Sequence, residues 1–158
     1  MSDREALVPA GFGEVTPLLI VDGADAAIRF YGRVFEAVEL MRVPAADGHR
    51  LVHAAIQIGG GAVMLADAFP EHGSRSPLAL GGSPVPIHLY VADVDAVFAR
   101  AAAEGAMVVM PVATMAWGDR CGRFVDPFGH HWSIATRLVP AAVDRMLASV
   151  QAFANLLR

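Results

Sequence analysis

The sequence predicts an α+β fold made of two tandem β-α-β-β-β modules followed by a C-terminal helix. Its 158 residues, 55% hydrophobic and 18% charged, suffice for a single domain with a substantial core. The order of strand-like and helix-like segments repeats after about 70 residues. A tight hairpin turn at residues 126–129 closes the second copy.

The first module is predicted at residues 14–68, after an N-terminal arm of residues 1–13. Its first strand spans residues 15–21, and the helix that follows is expected to be capped by Asp22 or Asp25. The apolar positions of that helix have the spacing of one helical face: Ala27, Phe30, Tyr31, Val34 and Phe35. Turn residues separate three further strands, at residues 38–43, 51–58 and 62–66.

The second module is predicted at residues 85–137, after a Pro/Gly/Ser-rich linker of residues 69–84. A strand at residues 86–91 precedes a helix whose apolar stripe consists of Val94, Val97, Phe98 and Ala101. Its remaining strands are expected at residues 107–114, 120–125 and 131–137. Val21 then corresponds to Val91, which supports an internal repeat.

A third helix is predicted within residues 138–158, with Pro140 in its first turn. Its apolar stripe consists of Val143, Met146, Leu147, Val150, Ala154 and Leu157. Such a helix can pack on its own domain or form a dimer contact, and the sequence leaves both possibilities open.

Composition argues against several classes of partner. The net charge is −4 and lysine is absent, which disfavours nucleic-acid binding. No apolar run approaches the roughly 20 residues needed to cross a bilayer, and the N-terminus lacks a signal-peptide layout. The one cysteine, Cys121, excludes an intrachain disulfide and is expected to be a packed apolar residue. We therefore expect a cytoplasmic protein.

The hairpin turn separates two predicted strands, and the second of them has two chemically different faces. In the strand after the turn, Trp132 and Ile134 share one face, while His131, Ser133 and Ala135 share the other. A row of small and polar residues opposite an apolar row indicates a strand that faces a cavity. Asp126 is expected to brace the turn, and His130 to be a turn or surface group.

The motif Asp-Pro-x-Gly-x-x-Trp at residues 126–132, together with the repeat, resembles the glyoxalase / bleomycin-resistance / dioxygenase superfamily, the vicinal oxygen chelate fold. The resemblance covers about residues 14–137 and is strongest to the branch named for a phosphonate-operon protein. It implies that the two modules form a U-shaped mixed sheet around a cavity, often in a homodimer.

In metal-using members, four ligands come from the first and last strands of the two modules. The resemblance places these positions on Thr16, Met64, Pro86 and Ser133. None of the four is a suitable ligand for zinc, magnesium or manganese, which take imidazole, thiolate or carboxylate donors. The sequence therefore favours a cavity with no metal cofactor.

Two histidines could rebuild a metal site. His88 and His131 share the cavity face, and if their strands pair antiparallel they lie opposite each other, about 5 Å apart at Cβ. Asp67 would then be a possible third ligand. The simpler interpretation, which we favour, is that the histidines are polar residues lining a ligand pocket.

The loop before the seventh strand contributes further candidates. Trp117 and Arg120 could stack on and pair with an anionic or planar ligand. Equally, the loop could be anchored by its own tryptophan and by the neighbourhood of Asp119 and Arg120. The full set of pocket candidates is Thr16, Met64, His88, Tyr90, Trp117, Arg120, His131 and Ser133.

Three functions are compatible with these residues. The favoured one is metal-free binding of a small organic molecule, as in the antibiotic-sequestering members that the resemblance implies. The alternative is a lyase, isomerase or dioxygenase-type enzyme that uses a divalent metal ion at His88 and His131, or these histidines as acid and base. The third is an interaction module that uses the C-terminal helix.

Overall fold

The computed structural model describes residues 8–138 and 143–156, and its architecture confirms the predicted α+β fold of two β-α-β-β-β modules and a closing helix. The first module consists of β1 (Leu18–Val21), α1 (Ala24–Phe35), β2 (Val38–Pro44), β3 (Leu51–Ile58) and β4 (Gly61–Asp67). A short helix, α2 (Pro77–Leu80), precedes the second module. That module consists of β5 (Pro86–Tyr90), α3 (Val94–Ala103), β6 (Met107–Thr114), β7 (Asp119–Val125) and β8 (His131–Arg137), and is followed by α4 (Val143–Leu156).

The chain divides into two compact units. The first comprises Met1–Pro84 with the hairpin tip Pro127–His130, and the second comprises Val85–Asp126 with His131–Arg158. Each unit has a mixed four-stranded sheet, ordered β1-β4-β3-β2 in the first and β5-β8-β7-β6 in the second. Pro140 and Leu157 of the predicted C-terminal helix lie outside the described residues. Among the described helices, none is long and apolar enough to span a membrane.

Helix α1 covers one face of the first sheet with its apolar stripe. Phe30 and Tyr31 are buried on this face, and the ring of Phe128 from the hairpin tip lies 6.0 Å and 6.3 Å from their rings. His130 of the same tip is also buried and donates from Nε2 to the carbonyl oxygen of Ile20 at 3.0 Å. His130 therefore lies at the turn, as expected, but it is not a surface group, because its ring is buried and hydrogen-bonded to a backbone carbonyl of this unit.

The expected caps of α1, Asp22 and Asp25, were also wrong. Asp22 accepts a hydrogen bond from the Ser76 hydroxyl at 2.5 Å, so its carboxylate is directed at the segment before α2. Asp25 lies in the first turn of the helix and pairs with Arg29 and Arg42. These bonds hold the pKa of the Asp25 carboxyl below its usual value.

The cap of α1 comes from β4, far along the chain. Asp67 is buried, and its Oδ1 accepts from the backbone N–H groups of Gly23 at 2.9 Å and Ala24 at 2.8 Å. Its Oδ2 accepts from the N–H of Leu51 at 2.6 Å. With three backbone donors on its two oxygens, Asp67 is a structural group that joins helix and sheet, not a third metal ligand.

In the second sheet β5 and β8 run parallel, with Pro86 beside His131 and His88 beside Ser133. The antiparallel pairing that would place His88 opposite His131 is therefore wrong. The cause is the connectivity. Hairpins make β6, β7 and β8 alternate in direction, and the crossover through α3 leaves β5 parallel to β8. His88 and His131 are offset by two residues, so their Cα atoms are about 8 Å apart.

Helix α3 packs against one face of the second sheet. Phe98 contacts Phe124 edge to face, with ring centroids 5.3 Å apart. Gly122 lies beneath this contact, where a Cβ atom would meet Phe98 Cζ at 2.6 Å and the Met110 carbonyl oxygen at 2.9 Å. Trp132 is buried on the same face and donates from Nε1 to Asp126 Oδ2 at 2.8 Å, so Asp126 does brace the hairpin. The other face of this sheet carries the candidate site.

Candidate functional site

The strand registers place a row of polar side chains across the open face of the second sheet. His88 on β5 lies beside Ser133 on β8, and Ser133 lies opposite Arg123 on β7. Met110 on β6 is the partner of Arg123 and extends the row with an apolar side chain. Because side chains of a strand alternate between its faces, these four residues lie on the face away from α3.

A cavity of about 490 Å³ lies over this row. Its walls combine five apolar side chains with four polar or charged ones. The lining residues are His88, Met110, Met115, Trp117, Asp119, Cys121, Arg123, Ser133 and Phe153. Trp117 and Phe153, from the loop before β7 and from α4, meet edge to face with ring centroids 6.2 Å apart. Three of the predicted candidates, His88, Trp117 and Ser133, therefore share one cavity.

His88 is held from two sides. Its Nδ1 lies 2.9 Å from the Ser133 hydroxyl oxygen. Its ring also meets the ring of Tyr90 edge to face, with centroids 4.7 Å apart. The hydrogen bond with Ser133 occupies Nδ1, so Nε2 is the ring nitrogen that can bond to a molecule in the cavity.

Asp119 has its charge balanced inside the protein. Its carboxylate is buried and accepts from Arg137 Nε at 2.9 Å and from the Tyr90 hydroxyl at 3.3 Å. The hydrogen bond to Asp119 raises the pKa of the Arg137 guanidinium. Tyr90 and Arg137 line a neighbouring depression of about 590 Å³ on the surface of this unit. Tyr90 is therefore linked to the cavity through Asp119.

Arg120 points to the other side of the sheet. Its guanidinium forms two hydrogen bonds of 2.7 Å with the carboxylate of Asp95 on α3, and this pairing raises the pKa of Arg120. Asp119 and Arg120 do not pair with each other, since alternation along β7 sends the two side chains to opposite faces. Arg120 is absent from the described lining of the cavity.

Cys121 lies between Asp119 and Arg123 on the cavity face and is buried, as expected for a packed apolar residue. Burial raises the pKa of its thiol, the nearby Asp119 carboxylate adds to this effect, and Arg123 opposes it. The thiol therefore stays protonated at neutral pH and contributes apolar surface to the cavity.

The remaining candidates lie elsewhere. Thr16 and Met64 share a separate depression of about 460 Å³ in the first unit, together with His53. The Thr16 hydroxyl donates to the carbonyl oxygen of Gly13 at 2.9 Å. His131 is half-buried beside Pro86 and is not among the lining residues of the described cavities.

The described donor groups do not fit the divalent metal ion that the resemblance implies for metal-using members. Within the described residues, no three histidine, cysteine, aspartate or glutamate side chains converge on one point. Asp67 is occupied by three backbone donors, and His88 by Ser133. The four ligand positions that the resemblance implies carry hydroxyl, thioether and proline side chains, which are poor ligands for a divalent ion. These positions are Thr16, Met64, Pro86 and Ser133.

Sequence reasoning missed Arg123, the charged residue of the row. The signal was present in the hairpin. Val125 pairs with His131 at the turn, and two residues away from the turn on each strand Arg123 pairs with Ser133. Phe153 was missed for another reason. The apolar stripe predicted for α4 did not include it, and no local pattern defines where this helix lies relative to the sheet.

Comparisons with known proteins support the same fold. A protein of Mycobacterium bovis, Mb0911c, described as uncharacterized, is 48% identical over 139 residues, which cover 86% of this chain and 91% of the relative. The crystal structure of TioX from Micromonospora sp. ML1 is 30% identical, with a TM-score of 0.62, over 80% of this chain and 99% of that one. The PhnB protein of Bacillus cereus, at 18% identity, shares the fold with a TM-score of 0.63 over 78% of this chain and 99% of its own.

The family is shown directly by the sequence. The profile of the "Glyoxalase/Bleomycin resistance protein/Dioxygenase superfamily" matches residues 11–134, which include both modules and the hairpin up to β8. The chain belongs to the glyoxalase / bleomycin resistance protein / dioxygenase superfamily.

Proposed function

We propose that this protein binds a small organic molecule, without a metal ion, in the cavity of the second unit. The observation that carries the proposal is the cavity itself. It has about 490 Å³ of space, and apolar side chains from β6, the loop before β7 and α4 surround a few polar groups. Mostly apolar walls with a small number of placed polar groups are typical of small-molecule sites.

The donor set supports binding rather than metal-assisted catalysis. The positions that would hold a metal lack suitable donors, and the candidate substitutes His88 and His131 are offset along their strands. Because this superfamily fold supports unrelated chemistries, the fold alone does not favour an enzyme. The alternative enzyme would need a third ligand, and the described residues supply none in a convergent position.

N-phenyl-1-naphthylamine, a neutral apolar dye that fluoresces on leaving water, tests both parts of the proposal. We expect saturable binding of one dye per chain, unchanged by a chelator, and no stoichiometric zinc, nickel, manganese, iron or magnesium by elemental analysis. His88→Ala should weaken the dye by less than about fivefold, since one polar group at the edge of a pocket contributes little. His49→Ala, in an exposed loop, is the matched control.

A stoichiometric divalent ion that is lost in His88→Ala or His131→Ala, but not in His49→Ala, would contradict the proposal and favour the enzyme. Absence of saturable dye binding to the wild-type protein would contradict the cavity as a binding site. Binding that persists in chelator, with no ion present, would support it.

We further propose that the protein is a cytosolic homodimer. Support for the dimer comes from exposed apolar side chains of α4, with Leu147, Val150 and Phe153 at least half exposed. The lone protonated thiol is compatible with a reducing compartment. Sedimentation equilibrium of the full chain should give twice the mass of 16.7 kDa, and a monomer at micromolar concentration would contradict the dimer.

A further inference from the structure

The charges around the cavity do not cancel. Asp119, its one lining carboxylate, is bound to Arg137 and Tyr90. Arg123 lines the same cavity and is exposed, and among the residues that the structure describes it has no ion-pair partner. The cavity therefore presents one cation whose charge nothing described in the protein balances.

The neighbours of Arg123 in the row can donate hydrogen bonds. When the Ser133 hydroxyl donates to Nδ1 of His88, the proton of the neutral imidazole lies on Nε2, which becomes a donor toward the cavity. Arg123 lies opposite Ser133 in the register, so a guanidinium and an imidazole donor lie on either side of the same strand. Guanidinium binds carboxylate, sulfonate and phosphate oxygens through two parallel hydrogen bonds.

The rest of the cavity suits an apolar body. The rings of Trp117 and Phe153 form one wall, and Met110 and Met115 supply adaptable thioether surface. Aromatic side chains favour stacking or edge contacts with a flat ring system. If a ligand bound its anionic group at the polar row, its flat ring system would lie against the aromatic and methionine side chains of this wall.

We propose that the ligand of this cavity is an organic anion, with one oxyanion group bound by Arg123 and a flat apolar body against Trp117 and Phe153. This inference rests on the proposed binding function and adds the chemical class of the ligand. The charge selects the ligand, and the apolar wall supplies most of the buried contact.

Two dyes that share one aromatic skeleton but differ in charge separate the contribution of charge to binding from that of shape. 8-Anilinonaphthalene-1-sulfonate has the aromatic skeleton of N-phenyl-1-naphthylamine plus a sulfonate group. We expect the wild-type protein to bind the anionic dye more tightly, and Arg123→Gln to weaken it about tenfold, as for a lost charge-assisted hydrogen bond. The neutral dye should change less than about twofold, and added salt should weaken only the anionic dye.

Arg100→Gln is the matched control, because it removes one positive charge from α3, the helix on the opposite face of the sheet. It should leave both dyes unchanged, and thermal melts should show that Arg123→Gln remains folded. Equal affinity of the two dyes for the wild-type protein, equal effects of Arg123→Gln on both, or a loss caused by Arg120→Gln in its place would overturn the inference. Failure of the neutral dye to bind at all would instead contradict the cavity proposal.

Discussion

Replacing Asp67 by alanine is expected to destabilise the protein by about 4 kcal/mol, since two buried backbone N–H groups and one partly buried N–H group lose their acceptor. These donors belong to Gly23 and Ala24 at the start of α1 and to Leu51 at the start of β3. Asp67 is only 4% exposed, so bulk water has little access to the place of its carboxylate. Chemical denaturation followed by circular dichroism measures the loss, which corresponds to a fall of about 10 °C in melting temperature.

The second module provides the matched control. Thr136 Oγ1 accepts from the N–H of Val94 at 2.9 Å and donates to the Val91 carbonyl at 3.0 Å, so a hydroxyl joins α3 to its sheet where α1 uses a carboxylate. Thr136→Val keeps the shape and should cost about 1–2 kcal/mol. A loss in Asp67→Ala no larger than that in Thr136→Val would show that Asp67 does not hold the first helix to its sheet.

Local pattern predicted most of the fold. Helix α1 follows its apolar spacing, and β3, β6 and β8 span the residues expected from alternation and turn signals. The repeat gave the order of the elements, because each module needs the same strands around one helix. The α1 cap could not be predicted, since Asp67 lies more than 40 residues from the N–H groups it binds. Sequence rules for caps consider adjacent residues only.

The candidate site was predicted less well than the fold. His88 and Ser133 were found because the faces of their strands alternate in a readable way, whereas Trp117 was proposed from its place in the loop before β7. Arg120 was proposed because it was assigned to the loop that carries Trp117, yet alternation along β7 directs its side chain to Asp95. Strand direction mattered as much as parity. The proposed His88–His131 pair depended on an antiparallel β5–β8 contact, which the crossover through α3 forbids.

Trp132, which bonds to Asp126 in the hairpin, is the second residue whose replacement is expected to cause a large loss of stability. Trp132 is 1% exposed and lies on the core face of β8, so Trp132→Ala is expected to cost about 4 kcal/mol from lost packing and a cavity. Trp132→Phe keeps much of the apolar contact but removes the indole N–H that donates to Asp126. Its cost should be about 2 kcal/mol, measured by the same denaturation experiment.

A double-mutant cycle isolates the hydrogen bond from the packing. If the indole–carboxylate bond braces the hairpin, Trp132→Phe and Asp126→Ala should together cost about 1 kcal/mol less than the sum of the two single changes. Additive losses would mean that Trp132 acts through packing alone. In that case the tryptophan of the Asp-Pro-x-Gly-x-x-Trp motif would be required for its volume. A coupling would mean instead that the first and last residues of the motif stabilise the hairpin by bonding to each other across the turn, in the register that places Arg123 opposite Ser133.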